Sequence, residues 1–477
     1  MKEWTTGHPK VDPVTGEMIL FHCTFIPPYI HYSVIPTESA SNGVYGASFT
    51  KLLNKPVPGV SGAKMMHDFG VSSNHTVIMD LPLSLDPVNN LKGLPVVSYD
   101  SSKPSRFGVF PRRDPTQVRW FETDACCIFH TANTWDSLDS RGNAEAVNML
   151  ACRLTSATLV FSAGNITAPQ PTPKTVTKVE KARRPSFFSS YDAEFQSRFS
   201  DPEKSPETRD ESTESDYLLL AAHSTTKIEP SLTDADDEQC RLYYLRMPLF
   251  NNPSNHISHQ FALSAVPFEF PSTHPNLGMH AARYIYGCSV STSDSFGAAL
   301  GKAAKIDVIM KMDAHALLAR AEQRPPKSVT GCVDTRSVPE VLASIDPCDS
   351  IKAFKFPPGI YGQEPRFVPR HTNTGSPEDE DDGFLLFYTF DEAQLDDEGE
   401  CPLDAVSELW ILDARNMKDV LCKIRLPQRV PYGLHGNWFT EEEIKGQRAV
   451  ERVRRLPEME EGGVWQSVRR RLIKAVG

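Results

Sequence analysis

Four histidines stand in sequence surroundings that could serve chemistry. His8 lies in TGHPKVDPVTGEM, His67 in MMHDFGVSSNHTVIMDLPL, His130 in CCIFHTANTWD directly after an apolar run, and His435 in PYGLHGNWF between Gly433 and Gly436. The intervals are 59, 63 and 305 residues, and no compact motif such as HExxH occurs. Taken singly, each reads as an ordinary core or surface histidine whose tautomer is set by a local hydrogen bond. Spacing alone therefore does not make a metal site. If the four imidazoles converge, the chemistry narrows. An all-imidazole set suits iron, copper, nickel or zinc and disfavours magnesium or calcium. Neutral ligands leave a divalent ion its full charge. An octahedral metal would keep two open positions, whereas a structural zinc is closed at four ligands.

The elements that must carry these residues read as short strands: 75–85 (HTVIMDLPLSL), 157–163, 282–290, 383–390 (GFLLFYTF) and 407–414 (SELWILDA). Each mixes β-branched or aromatic residues and is bounded by turn residues. This pattern predicts an all-β sandwich, barrel or propeller. Residues 164–215, rich in Pro, Ser, Thr and charge, read as a disordered loop insertion. Residues 312–345, with AHALLARAEQRPP, read as a second, partly ordered insertion. The acidic run 378–382 reads as a solvated loop. From Thr440 a TEEE capping box opens a tail, 441–477, ending in VWQSVRRRLIKAVG. There Val464, Val468 and Leu472 lie at helical spacing, as in an amphipathic helix.

Composition excludes several classes. A net charge of −11 and a pI near 5.7 repel phosphates, so no nucleic-acid partner is expected. The 38 prolines suit strands and loops better than a helix bundle. Ten scattered cysteines without a CxxC pair, no apolar leader and no run of about 18 apolar residues point to a reduced, cytoplasmic location. The apolar segment 21–35 reads as a buried strand pair, with peripheral membrane contact as the alternative.

At the histidine blocks the sequence resembles the carotenoid cleavage oxygenases, the family of the retinal-pigment-epithelium retinoid isomerase. HPKVDPVTGE, KMMHDFGVSSNHTVIMDLPL, WFETDACCIFHTANTWD and GLHGNWF match its four iron-histidine blocks in order, at His8, His67, His130 and His435. Glu269 in AVPFEFPSTHP and Glu364 in QEPRFVPR match carboxylates that orient the third and fourth histidines. The resemblance implies a seven-bladed β-propeller, residues 1–440, with a helical and loop cap over an axial Fe(II). It implies a dioxygenase that uses O2 to cleave a conjugated C=C bond of a carotenoid or apocarotenoid to carbonyl products. Phe69, Phe129, Trp135, Phe270, Trp438 and Phe439 are candidates for lining an apolar tunnel, with core packing as the alternative for each.

In that family roughly a third of the chain precedes the first iron histidine, whereas seven residues do so here. The resemblance thus implies a truncated chain lacking early blades, the glutamate partner of His67 and part of the tunnel. Stilbene cleavage is the alternative within the family. A truncated, non-catalytic lipophile-binding protein is the alternative outside it.

Overall fold

Strands dominate the computed structural model, which describes residues 4–37, 51–92, 95–154, 240–250, 252–291, 305–328, 331–370, 380–433 and 435–447. The first sheet contains β1 (Trp4–Thr5), β2 (Lys10–Val11), β3 (Met18–Cys23), β4 (Ile30–Ile35) and β5 (Leu52–Pro56). The second runs β11-β10-β7-β6, from β6 (Gly70–Val71), β7 (His75–Asp80), β10 (Ser105–Pro111) and β11 (Arg119–Thr123). A ribbon of β8 (Leu83–Leu85) and β9 (Val97–Tyr99) stands beside it in sequence. The third sheet has β12 (Cys127–Leu138), β13 (Ala144–Leu154), β14 (Arg241–Pro248) and β15 (His259–Ser264), with β19 (Cys332–Asp334) added in parallel. The fourth orders β16 (Glu269–Ser272), β17 (Tyr284–Ser289), β18 (Val308–Asp313) and β20 (Ile351–Lys355). The fifth comprises β21 (Ile360–Gly362), β22 (Arg366–Pro369), β23 (Gly383–Asp391), β24 (Glu408–Asp413) and β25 (Val420–Arg425). Most neighbours are consecutive and antiparallel, so short turns suffice to connect them.

The sequence explains the burial. In β23, GFLLFYTFD alternates buried and half-buried positions, as a strand with one face on the core must. β3 and β4 carry the apolar segment 21–35, and Ile19, Phe21, Tyr32 and Val34 are fully buried: it is a strand pair inside the core. The turn DPVTGE closes with Asp12 accepting from the Val14 and Thr15 amides, and Gly16 takes φ +69°. Arg112 then bonds Asp12 at 2.6 Å and Glu17 at 3.3 Å, fastening this turn to the end of β10.

The expected insertion is ordered in its described residues, and the expected solvated acidic run is not solvated at Glu380 and Asp381. Residues 312–345 are built into the body: β18 is an inner strand, helix α1 (Ala314–Gln323) buries Leu317 and Ala321, and α2 (Val338–Leu342) buries Val338 and Val341. The helix-like run before Pro325 forms α1, and its apolar stripe at helical spacing finds its partner in the body. Of the acidic run, Glu380 and Asp381 are buried rather than solvated. Glu380 accepts from the Arg283 and Tyr284 amides, and Asp381 pairs with Lys311 at 2.5 Å. Buried charges require such partners.

The insertion 164–215 and the tail helix around 464–472 lie outside the described residues. Contacts divide the chain into Met1–Gly436 and Asn437–Gly477. In the second unit, Thr440 and Glu443 form the reciprocal capping box that opens α3 (Glu441–Lys445).

Candidate metal centre

Each candidate ligand is placed by local chemistry. His8 sits between β1 and β2 and precedes Pro9, which restricts it to extended backbone. Its amide bonds Thr6 Oγ1 at 3.0 Å, and the same hydroxyl donates to the His67 carbonyl at 2.8 Å. His67 lies in the coil leading into β6. Three residues on, Gly70 lets β6 approach β12 closely, since a Cβ there would stand 2.7 Å from Thr134 Oγ1. His130 lies within β12, where the pairing with β13 shifts register between Ile128 and Thr131 and again before Asn133. Such bulges re-aim side chains. His435 lies on coil after β25. Its segment is fastened by Gln363 Nε2 to the Pro431 carbonyl (3.0 Å) and by Arg366 to the Gly436 carbonyl (2.8 Å).

The four imidazoles converge. His8 Nε2 and His67 Nε2 are 2.9 Å apart, His130 Nε2 and His435 Nε2 are 3.1 Å apart, and one nitrogen from each ring lies within 4.8 Å of the others. The rings meet edge-on, with interplanar angles of 71° to 88° for the pairs His8–His67, His8–His435 and His130–His435. Nitrogens of this kind sit about 2.1 Å from a bound first-row metal, so two donors at right angles stand about 3 Å apart. The observed pairs fit that requirement, and the donor set excludes a calcium-type oxygen cage.

Carboxylates hold two of the rings. His130 Nδ1 lies 2.7 Å from Glu269 Oε2, and His435 Nδ1 lies 3.2 Å from Glu364 Oε2. Glu269, 1% exposed, is steadied by the Phe270 amide, and Phe270 takes φ +54° to make this bond. That is an uncommon backbone state for an aromatic residue and marks local strain at the site. Glu364 also accepts from the Gly436 amide at 3.3 Å. Burial pushes the His8 imidazole down to about 3, so it is neutral and ready to donate its lone pair. Burial likewise lowers His67. At His130 burial opposes charge, but the Glu269 carboxylate outweighs it and raises the ring above its ordinary value.

The six aromatic candidates separate. Phe129 stands 5.8 Å from the His67 ring, and Phe270 stands 5.5 Å from His130 and 5.7 Å from His435. Phe69 packs edge-on against Phe21 in the core, and Trp135 stacks on Tyr244. Trp438 and Phe439, 49% and 55% exposed, belong to the second unit. Sequence reasoning passed over Asp68, which pairs with Lys10 at 2.7 Å and accepts from the Thr131 amide at 2.7 Å. The signal was a charge set next to a histidine within an otherwise apolar block.

Residues 1–440 match the family model described as retinal pigment epithelial membrane protein. The whole chain is 52% identical to carotenoid dioxygenase carX of Gibberella fujikuroi, of which it covers 66%. Over 93% of its length it is 29% identical to carotenoid 9,10(9',10')-cleavage dioxygenase 1 of Pisum sativum, of which it covers 59%. It thus spans less than two thirds of the length of these relatives. In fold, 90% of the chain superposes on 65% of a lignostilbene dioxygenase from Pseudomonas brassicacearum (TM-score 0.54, 17% identity). Similarly, 91% superposes on 64% of a mutant Synechocystis apocarotenoid oxygenase (TM-score 0.53, 16% identity). Four converging imidazoles, their carboxylate partners and a family match along residues 1–440 agree: the chain belongs to the retinal pigment epithelial membrane protein family, the carotenoid cleavage oxygenases.

Proposed function

We propose that this polypeptide is a non-haem iron(II) dioxygenase that splits one conjugated double bond of a carotenoid or apocarotenoid. O2 supplies one oxygen atom to each carbon of the broken C=C, giving two carbonyl products. The observation that carries this reading is the convergence of His8, His67, His130 and His435 within 4.8 Å. The likeness to a carotenoid dioxygenase supports the substrate class. In this reading the four histidines hold ferrous iron, and Glu269 and Glu364 fix the tautomers and directions of His130 and His435.

Iron, when bound, supplies the activation of dioxygen; the chain supplies position. Phe129 and Phe270 present apolar surface beside the imidazoles, where a polyene can lie while water is kept out. The five sheets are read as blades of a seven-bladed propeller around the histidine axis, supported by the fold likeness to carotenoid and stilbene oxygenases. A substrate this lipophilic is taken up by peripheral contact with a membrane surface. Among the described residues no helix is long and apolar enough to cross one.

Anaerobic reconstitution with Fe(II), metal analysis and a product screen against carotenoids, apocarotenoids and stilbenes test the proposal. About one iron per chain, its loss in His130→Ala and carbonyl products from a carotenoid or apocarotenoid are expected. Products from stilbenes alone would replace the substrate class. Iron-free protein that still binds a polyene would overturn the enzyme reading.

A further inference from the structure

We propose that the Lys10–Asp68 ion pair, closed by Thr131, is the brace that sets the spacing of three of the four histidines. This inference rests on the reading of the site as a metal centre and assigns positioning residues within it.

Asp68 is 1% exposed. A carboxylate so deeply buried must have its lone pairs satisfied, and here four donors do so. Oδ1 takes the Phe69 amide at 2.7 Å and Lys10 Nζ at 2.7 Å. Oδ2 takes the Thr131 amide at 2.7 Å and the Thr131 hydroxyl at 2.8 Å. Lys10 Nζ also reaches Thr131 Oγ1 at 3.2 Å, closing a triangle.

The triangle's corners are the significant feature. Lys10 lies two residues after His8, Asp68 directly after His67, and Thr131 directly after His130. Sequence distances of 121 and 63 residues are thereby reduced to single bonds beside the imidazoles. The bonds act on different parts of each segment. Thr131 contributes its amide, so the brace grips the β12 backbone at the bulge that aims His130. Asp68 also fixes the Phe69 amide, so the coil holding His67 cannot rotate freely. On the opposite side, Thr6 joins the His8 amide to the His67 carbonyl.

This arrangement complements the carboxylates described above. Glu269 and Glu364 orient His130 and His435 through Nδ1, whereas among the described residues no carboxylate stands against Nδ1 of His8 or His67. The brace acts on those two rings through the main chain that carries them.

The test uses the full chain and two readouts: anaerobic titration with Fe(II) or Co(II), and histidine-ring NMR of the metal-free protein. Lys10→Met is expected to weaken metal affinity about 10–100-fold, to alter the Co(II) absorption spectrum and to shift the ring signals of His8 and His67. Lys10→Arg is expected to restore all three toward the parent. The double variant Lys10→Met with Asp68→Asn should lose less than the sum of the single losses, because the partners act as one unit. An ordinary structural ion pair would lower the melting temperature alone. Parental affinity and an unchanged Co(II) spectrum in Lys10→Met would therefore overturn the proposal. If Lys10→Met fails to fold, Thr131→Val, which keeps the amide bond, carries the same test with the same expected direction. If the parent takes up neither metal, the metal-centre reading fails instead. The ring NMR then decides the brace, and unchanged signals in the variant would refute it.

Discussion

His130 Nδ1 lies 2.7 Å from a carboxylate oxygen of Glu269, 139 residues further along the chain. The same oxygen takes the Phe270 amide, and Cys240 Sγ lies 3.8 Å from the other. Glu364 stands farther from its ring, 3.2 Å from His435, and its oxygen is shared with the Gly436 amide and with Arg366 at 3.6 Å. The two partners should therefore differ in weight. Glu269→Gln is expected to weaken metal binding toward the upper end of the roughly 10–100-fold range for such partners, and Glu364→Gln toward the lower. Parallel metal titrations of the two variants check the order.

Gly70 allows β6 to pass close to β12, bringing the segment that carries His67 next to the strand that carries His130. An added Cβ would meet Thr134 Oγ1 at 2.7 Å and Met149 Sδ at 3.2 Å. Gly70→Ala is expected to destabilise the fold by about 1–3 kcal/mol through overpacking. Urea unfolding measures this, and an unchanged midpoint would show that the two strands give way without cost.

Asp136 accepts from Ser72 Oγ at 2.8 Å and from the Asn74 amide at 2.9 Å, and it stands 2.7 Å from His75 Nδ1. Burial alone would raise its carboxyl, but these bonds outweigh burial and hold it below the usual carboxylate value. A carboxylate lowered by folding contributes stability that is complete above the unfolded value, near 4, and is lost as pH falls through the folded value. As pH falls below about 4 the parent should therefore lose urea resistance more steeply than Asp136→Asn. Equal slopes would show that Asp136 does not contribute to acid unfolding.

Leu154 ends β13 and Arg241 begins β14, and Arg153 faces Arg241 across the pair. The chain leaves and re-enters at the same end of two adjacent inner strands. Loop-closure cost grows slowly with length, so deletion of 168–212 is expected to change metal content and melting temperature little. A collapse of either would show that this stretch packs on the body.

Much of this was legible in the sequence. The four histidines and two glutamates could be picked out because their blocks resemble those of a known family, and the structure brings all six together. Strands such as 383–390 were legible from their aromatic content and bounding turn residues, and the structure has a strand at Gly383–Asp391. Other features depended on partners far away in sequence. The charges of Glu380 and Asp381 suggested solvent, and only the Lys311 and Arg283 neighbours explain their burial. Asp68 looked like one more acidic residue until Lys10 and Thr131 stood beside it. Phe69 and Phe129 are equally apolar neighbours of histidines, yet one faces the core and the other the imidazoles. Nothing in composition distinguishes those fates.

The interval of 305 residues between His130 and His435 has a consequence for the life history of the protein. The fourth donor is synthesised 305 residues after the third. An unfolded chain offers scattered imidazoles with no shared focus, so the ion is captured by tertiary structure and not by a local peptide. Metal loading then waits for the fourth donor and for the fold that brings it to the other three. A bound ion would favour the folded state by mass action, tying the retention of metal to the lifetime of the fold.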